Sequence, residues 1–365
     1  MSVRPQLERR VLAALEASPP RLPVLAARCG MGRTSLLRGL RERLGASRTQ
    51  YIDVERAAST PERLLRAVIA ASRFAAHDVS PEAASPRDAF DALLAFFRGA
   101  RASDGGPVIF LLDEVLEFRT FENFPGLRHV LRDLVEGLAA STNRCVLATR
   151  YVTRALRFLR NAPPSVELIT VGPLEPGETR DLLTPTQRGD DDLVRAVHAL
   201  TEGHCGYAAS LSRAMDELGA DPVSALTALI APGGALDREI GHSYELRLHR
   251  ARGYGALKGI LEILAEEEPL TLTEIALRLQ RTPGSTKDYL SWLEDVDLIA
   301  VHQKRYAFAD PLLRLWVRIH CRPEPADEAI AAQEVQQYAL ARLPHPEPVL
   351  AGSSRRGGSG IIEID

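Results

Sequence analysis

Leu22-Pro23-Val24-Leu25-Ala26-Ala27-Arg28-Cys29-Gly30-Met31-Gly32-Arg33-Thr34-Ser35-Leu36-Leu37 is the stretch on which the reading of this chain turns. A short apolar run from Pro23 to Ala27 leads into a glycine-containing turn and then a helix-patterned SLLRGLRERL. Strand, glycine turn and helix in that order aim the free N–H groups of the helix start at an anion. Set against G-x-x-x-x-G-K-[ST], Gly32 and Thr34 match, Ala27 stands for the first glycine, and Arg33 stands for the lysine. The glycines let backbone amides approach phosphates, the cation neutralises the β- and γ-phosphates, and the hydroxyl serves Mg²⁺. Gly30, Met31, Gly32, Arg33, Thr34 and Ser35 are therefore the candidate nucleotide-binding residues. Cys29, inside the turn, reads as a small filler.

Moving outward, Gly105-Gly106-Pro107 punctuates the chain before Val108-Ile109-Phe110-Leu111-Leu112, a continuous apolar run typical of a strand buried on both faces. Asp113 and Glu114 close it. An aspartate there is placed to join a magnesium shell, and the next glutamate to polarise an attacking water. Thr34 and Asp113 are thus the candidate metal ligands and Glu114 the candidate catalytic group. A further strand, Arg144–Thr149, ends in Thr149-Arg150, which puts Thr149 beside the γ-phosphate as a second catalytic candidate. The implied cofactors are ATP or ADP with Mg²⁺.

Composition sharpens one position. Of 45 basic residues only Lys258, Lys287 and Lys304 are lysine, so the first 257 residues contain none. Arg33 follows that bias, yet its planar fork is longer and bulkier than an ammonium, and the exchange is not conservative in a tight loop. The net charge of −3 excludes a polycation built for nucleic acid, although residues 1–50 hold ten arginines against Glu8, Glu16 and Glu42. Four widely spaced cysteines without a CxxC pair argue against zinc and a disulfide framework, and for a reducing cytosol. The opening MSVRPQLERR reads as no signal peptide, and no run of about 18 uncharged apolar residues exists, so a cytoplasmic protein without a membrane partner is expected.

Strands at 49–54, 108–112, 144–149 and 166–171 alternate with helical patterns, which implies an α/β fold: a parallel sheet covered by helices. Residues 5–17 read as an ordinary amphipathic helix. From Glu175 to about Arg250 the pattern is helical. Residues 254–310 read as three helices and a β-hairpin, and the tail holds one helix (326–342) before SSRRGGSG and Ile361-Ile362-Glu363-Ile364-Asp365, a segment suited to adding a strand to a partner's sheet. The expected division is 1–174, 175–250, 251–322 and 323–365.

The order of LPVLAARCGMGRTSLL, VIFLLDEVLEF, RCVLATR, VGPLEPGETRDLL, TEGHCGYAASL and FADPLLRLWVR resembles the archaeal-type AAA+/STAND P-loop ATPases. The resemblance implies a P-loop ASCE sheet domain at 1–174, a helical lid at 175–250 and a C-terminal winged helix at 251–322. It implies that Gly203-His204-Cys205 is the lid turn nearest the nucleotide, without the family's proline. Asp310 to Trp316 would be its closing D-P-x-x-R-x-W segment. A regulatory switch follows, weakly hydrolysing, with a protein partner or a homo-oligomer; Arg150 and Arg154 stand where an arginine finger would. Two other readings stay open. One is a DNA-binding initiator or regulator that uses Lys287, Lys304 and Arg305 on the winged helix; the other is a scaffold with a vestigial site. The winged unit carries ten basic and ten acidic residues, poor for phosphate contacts.

Overall fold

Five strands form one parallel sheet: β1 (Leu22–Ala26), β2 (Thr49–Asp53), β3 (Ile109–Asp113), β4 (Arg144–Thr149) and β5 (Val166–Thr170), in the order β2-β3-β4-β1-β5. This computed structural model describes residues 4–76, 79–249, 251, 253–323 and 326–343. Residues 344–365, with the SSRRGGSG stretch and the Ile361–Asp365 strand expectation, lie outside the described residues. β4 is central, between β3 and β1; β1 also pairs with β5, and β3 with β2. The turns after β1, β3 and β4 therefore converge at one edge of the sheet, where ligands of open parallel sheets bind.

The strands read as apolar runs because both faces are covered. Along β3 and β4, Phe110, Leu112, Cys145 and Leu147 face one core, with Phe90, Phe97 and Leu134 from the helices Pro86–Gly99 and Val130–Ala139. Leu111, Val146 and Ala148 face the other, with Leu25, Val11 and, from the helix Arg33–Leu44, Leu37 and Leu40. Phe97 meets Phe110 edge to face at 5.0 Å between ring centroids. Burial pushes the Cys145 thiol up to about 12, so it behaves as a packing residue. Between β3 and Val130 the chain forms a 3-10 helix, Val115–Asn123, so the helix expected near 125–139 starts five residues late.

After β5, helices Pro176–Leu182, Asp191–Thr201, Cys205–Leu218, Pro222–Ile230 and Ala235–His249 follow. Then come Tyr254–Glu266, Leu272–Arg278 and Pro283–Asp295 with a second, antiparallel sheet: β6 (Leu270–Thr271), β7 (Ile299–His302) and β8 (Arg305–Phe308), ordered β6-β8-β7. The hairpin was expected; the two-residue β6 was not. Helices Pro311–His320 and Glu328–Leu340 complete the described chain. One continuous core runs from Leu183 to Ala339 across residue 250. Leu290, Leu315 and Trp316 are buried in it, as their helical spacing implies, and Trp316 Nε1 donates to Asp237 Oδ1 at 2.8 Å.

The two halves are stitched by Asp297. Its carboxylate accepts from the amides of Val152 (2.7 Å) and Thr153 (3.3 Å) and from Thr153 Oγ1 (2.8 Å), capping the helix Val152–Leu159 from a distant part of the chain. Burial raises its pKa against those bonds. Arg157 on that helix pairs with Asp295 and lies 3.6 Å from Glu294. The acidic end of the helix Pro283–Asp295 thus faces the first half of the chain.

Candidate functional site

The turn between β1 and the helix Arg33–Leu44 is built on two left-handed glycines, Gly30 (φ 74°) and Gly32 (φ 83°). Side chains rarely adopt that backbone region, and glycine adopts it freely. Gly32 is the N-cap, so the amides of the first helical turn have no partner inside the helix and carry the positive end of its dipole. The turn opens onto a cavity of about 950 Å³ lined by Gly30, Met31, Gly32, Arg33, Thr34 and Ser35, together with Glu114 and Arg150. The six expected binding residues are all in its wall.

Arg33 does not point into the open part of the cavity. Its Nε lies 2.9 Å from Asp113 Oδ1, off the line of a hydrogen bond, and its Nη2 pairs with Glu114 Oε1. Asp113 Oδ2 accepts from Thr34 Oγ1 (2.9 Å) and Tyr51 OH (3.0 Å), while Oδ1 accepts from the Glu114 amide (3.1 Å). Burial and the Asp113 carboxylate push the Tyr51 phenol well above its ordinary value, so it stays a donor. Glu114, at φ 56°, is held on its far side by Arg150. The Arg150 Nε is 3.0 Å from Oε1, its amide donates to Oε2 at 3.2 Å, and its guanidinium also pairs with Glu55. Two arginines and three carboxylates thus form one chain of charge.

Thr149 sits elsewhere. It is fully buried and is not part of the cavity wall, and its Oγ1 accepts from the Tyr151 amide at 3.2 Å. Arg150, expected only as a finger for a neighbour, is turned onto its own site. Arg154 lies over the rings of Tyr151 (4.8 Å) and Trp292 (5.5 Å).

Arg4 and Glu8, four residues apart at the start of a helix read as ordinarily amphipathic, were left unassigned on the sequence. Arg4 is buried and donates to the carbonyls of Met31 (3.3 Å), Gly172 (2.7 Å) and Pro173 (3.3 Å), tying the chain's first helix to the loop and to the segment after β5. Glu8 is buried one turn on, with Arg43 at 3.1 Å. Both line the cavity, so the helix Pro5–Glu16 is part of the site. An arginine and a glutamate one helical turn apart at an amphipathic helix start were the available signal.

The turn Gly203-His204-Cys205 does reach the loop. His204 Nδ1 accepts from the Tyr207 amide (3.2 Å), which leaves Nε2 to donate to Cys29 O (2.9 Å), and the Gly206 amide donates to Gly30 O (2.8 Å). The imidazole stacks on Tyr207 at 3.7 Å between centroids, and Tyr207 OH donates to Asp310 Oδ2 at 2.6 Å. Asp310 also caps the helix Pro311–His320, and Arg28 donates to Ala309 O at 2.6 Å. The loop is thus bonded to the second half of the chain at three consecutive residues, Arg28, Cys29 and Gly30.

Burial holds the His204 pKa below its ordinary value, against the pull of Asp310 and the Cys29 carbonyl. The unfolded chain then takes up a proton near pH 6.5 that the folded chain refuses. The stability carried by neutral His204 is complete above that pH and is lost as pH falls from 6.5 towards the lower folded value. Urea unfolding at pH 7, 6 and 5 is expected to show a wild-type loss that His204→Gln lacks, up to about 1.4 kcal/mol per pH unit in that window. Parallel profiles for the two chains would contradict the neutral assignment.

No protein-family model matches the chain, and no curated protein matches it. Among solved structures, the Walker-type ATPase PABY2304 of Pyrococcus abyssi superposes with a TM-score of 0.65 at 18% identity, covering 87% of this chain and 95% of that one. The chain has the fold of a Walker-type ATPase. That agrees with the expected α/β fold, a parallel sheet covered by helices. The Orc1 protein of Aeropyrum pernix, solved in complex with DNA, has a TM-score of 0.45 at 19% identity, covering 92% of each chain. The RuvB Holliday junction branch migration motor of Thermotoga maritima has 0.42 at 14%, covering 84% of this chain and 91% of that one. These last two superpose too loosely to add to the fold assignment. No helix among the described residues is long and apolar enough to cross a membrane.

Proposed function

We propose that this chain is a nucleotide-dependent switch of the AAA+/STAND kind that binds ATP or ADP and hydrolyses it weakly. The observation that carries the reading is the three-residue junction: the loop that would wrap the phosphates is bonded through Cys29 and Gly30 to the lid turn, and through Arg28 to the segment before Asp310. A phosphate seated on the free amides of Gly32 to Ser35 moves that loop, and the junction passes the movement on. In this reading residues 175–250 act as the lid and 251–322 as a winged helix that meets a protein partner or a second copy, with 323–365 as an appended helix and tail.

Thr34 and Asp113 are oxygen groups of the type Mg²⁺ takes, but the Arg33 guanidinium stands against Asp113 where the ion would approach. When bound, the ion would neutralise phosphate charge there. To reach Asp113 it must displace Arg33. Glu114 has the position of a water-activating group, but both of its oxygens are engaged by Arg33 and Arg150, which is why weak turnover is proposed. Thr149, buried and off the cavity wall, is given no phosphate contact.

Fluorescent N-methylanthraniloyl-ADP titrated into the full chain tests the reading. Saturable binding displaced by unlabelled ATP is expected, with phosphate release that Glu114→Gln lowers further. No binding at millimolar nucleotide would favour a scaffold with a vestigial site.

A DNA-binding reading gains from one feature. Glu294, Asp295 and Asp297 are spent on Arg157 and on the helix Val152–Leu159, while Lys287, Lys304 and Arg305 stay exposed. Arg305 is 3.7 Å from Glu274, a shared charge. A salt-dependent shift of duplex DNA that survives charge reversal at all three residues would sink it.

A further inference from the structure

We propose that the Arg33 guanidinium takes the place of the divalent metal, so that the chain binds nucleoside di- and triphosphates without Mg²⁺. The inference rests on the nucleotide reading above and specifies its ion requirement.

A metal at such a loop needs a carboxylate with free lone pairs. A carboxylate has about four acceptor positions. Asp113, with a side chain only 3% exposed, already accepts three hydrogen bonds, from the Glu114 amide, Thr34 and Tyr51, and the Arg33 guanidinium stands 2.9 Å from its Oδ1. The Thr34 hydroxyl, the other expected ligand, donates its proton to the same carboxylate and keeps only its lone pairs for an ion. An incoming ion must strip several of these contacts at once, in a place water barely reaches.

Charge points the same way. Asp113, Glu114 and Glu55 are matched by Arg33 and Arg150, leaving a single net negative charge. For a divalent ion beside Asp113, repulsion from the fixed Arg33 guanidinium offsets much of the attraction of the carboxylates. A lysine here would be a compact point charge on a flexible stem, free to swing to a phosphate. The arginine fork instead spans two adjacent carboxylates, a planar arrangement that an ammonium does not reproduce. Neutralising charge for phosphates is available from elsewhere in this cavity: besides Arg33 and Arg150, it is lined by Arg4, Arg28, Arg38 and Arg43 against Glu8 and Glu42.

The test measures the ATP dissociation constant of the full chain by calorimetry, in millimolar Mg²⁺ and in EDTA, for the wild type and for Arg33→Lys. The wild type is expected to change by less than about twofold, and Arg33→Lys to bind at least roughly tenfold more tightly with the metal. A wild-type affinity that falls about tenfold or more in EDTA overturns the proposal, because Arg33 then yields its place. Binding in neither buffer overturns the nucleotide reading itself, and this inference with it. Should Arg33→Lys fail to fold, the wild-type ratio alone decides.

Discussion

Arg33→Ala is expected to cost about 3 kcal/mol of unfolding free energy, an unusually large effect for a residue in a glycine turn. The reason is what stays behind. Asp113 and Glu114 have side chains 3% and 8% exposed, and Arg33 is itself only 11% exposed. Removing one partner of a buried ion pair leaves the other charge with little water to replace it. Glu114 keeps Arg150, and Asp113 keeps the hydroxyls of Thr34 and Tyr51, so the loss falls at the low end of the range for such sites. Arg33→Lys retains the charge without the two-carboxylate fork and is expected to recover roughly half of the loss. Urea unfolding of the three chains at neutral pH measures this. A loss below about 1 kcal/mol for Arg33→Ala would mean that water screens the pair as it does at a surface.

Gly30→Ala is expected to be as damaging, for a steric reason. A Cβ at Gly30 would lie 2.3 Å from His204 Cε1 and 2.9 Å from Nε2, at a backbone φ of 74° that alanine adopts only with strain. The imidazole cannot retreat: it stacks on Tyr207 and is bonded on both nitrogens. Loop and lid must separate. Left-handed strain and overpacking together predict a loss of about 3 kcal/mol, with nucleotide affinity weakened at least roughly tenfold. Combining Gly30→Ala with His204→Ala removes the clash and keeps the backbone strain, so part of the stability should return. If the double variant is no better than the single, the ring is not what the added methyl meets.

The sheet was legible because its central strands are covered on both faces. Val24 to Ala27, Phe110 to Leu112 and Cys145 to Ala148 had to be apolar throughout, and glycines mark the turns they feed. Strand order was not legible, since pairing β1 between β4 and β5 joins residues more than a hundred apart. β6, at two residues, carries no periodicity to detect. The six loop residues were found at the cavity because their backbone builds it. The direction of Arg33 was not, because it depends on two carboxylates some eighty residues away. Arg4 and Glu8 were left unassigned because residues 5–17 read as an ordinary amphipathic helix; the carbonyls of Met31, Gly172 and Pro173, with Glu178 nearby, make burying Arg4 favourable. Thr149 ends β4 as the sequence implied, but it is buried and lies off the cavity wall.

The central claim is that the Gly30–Ser35 turn is a nucleotide site with Arg33 fixed on the Asp113–Glu114 pair. A crystal structure of the full chain grown with a non-hydrolysable ATP analogue tests it most directly. The account predicts a triphosphate on the amides of Gly32 to Ser35, with Arg33 still bridging Asp113 and Glu114 and His204 still bonded to Cys29 O. An empty cavity at saturating analogue, or a bound triphosphate with Arg33 swung away and a metal ion on Asp113, would contradict it.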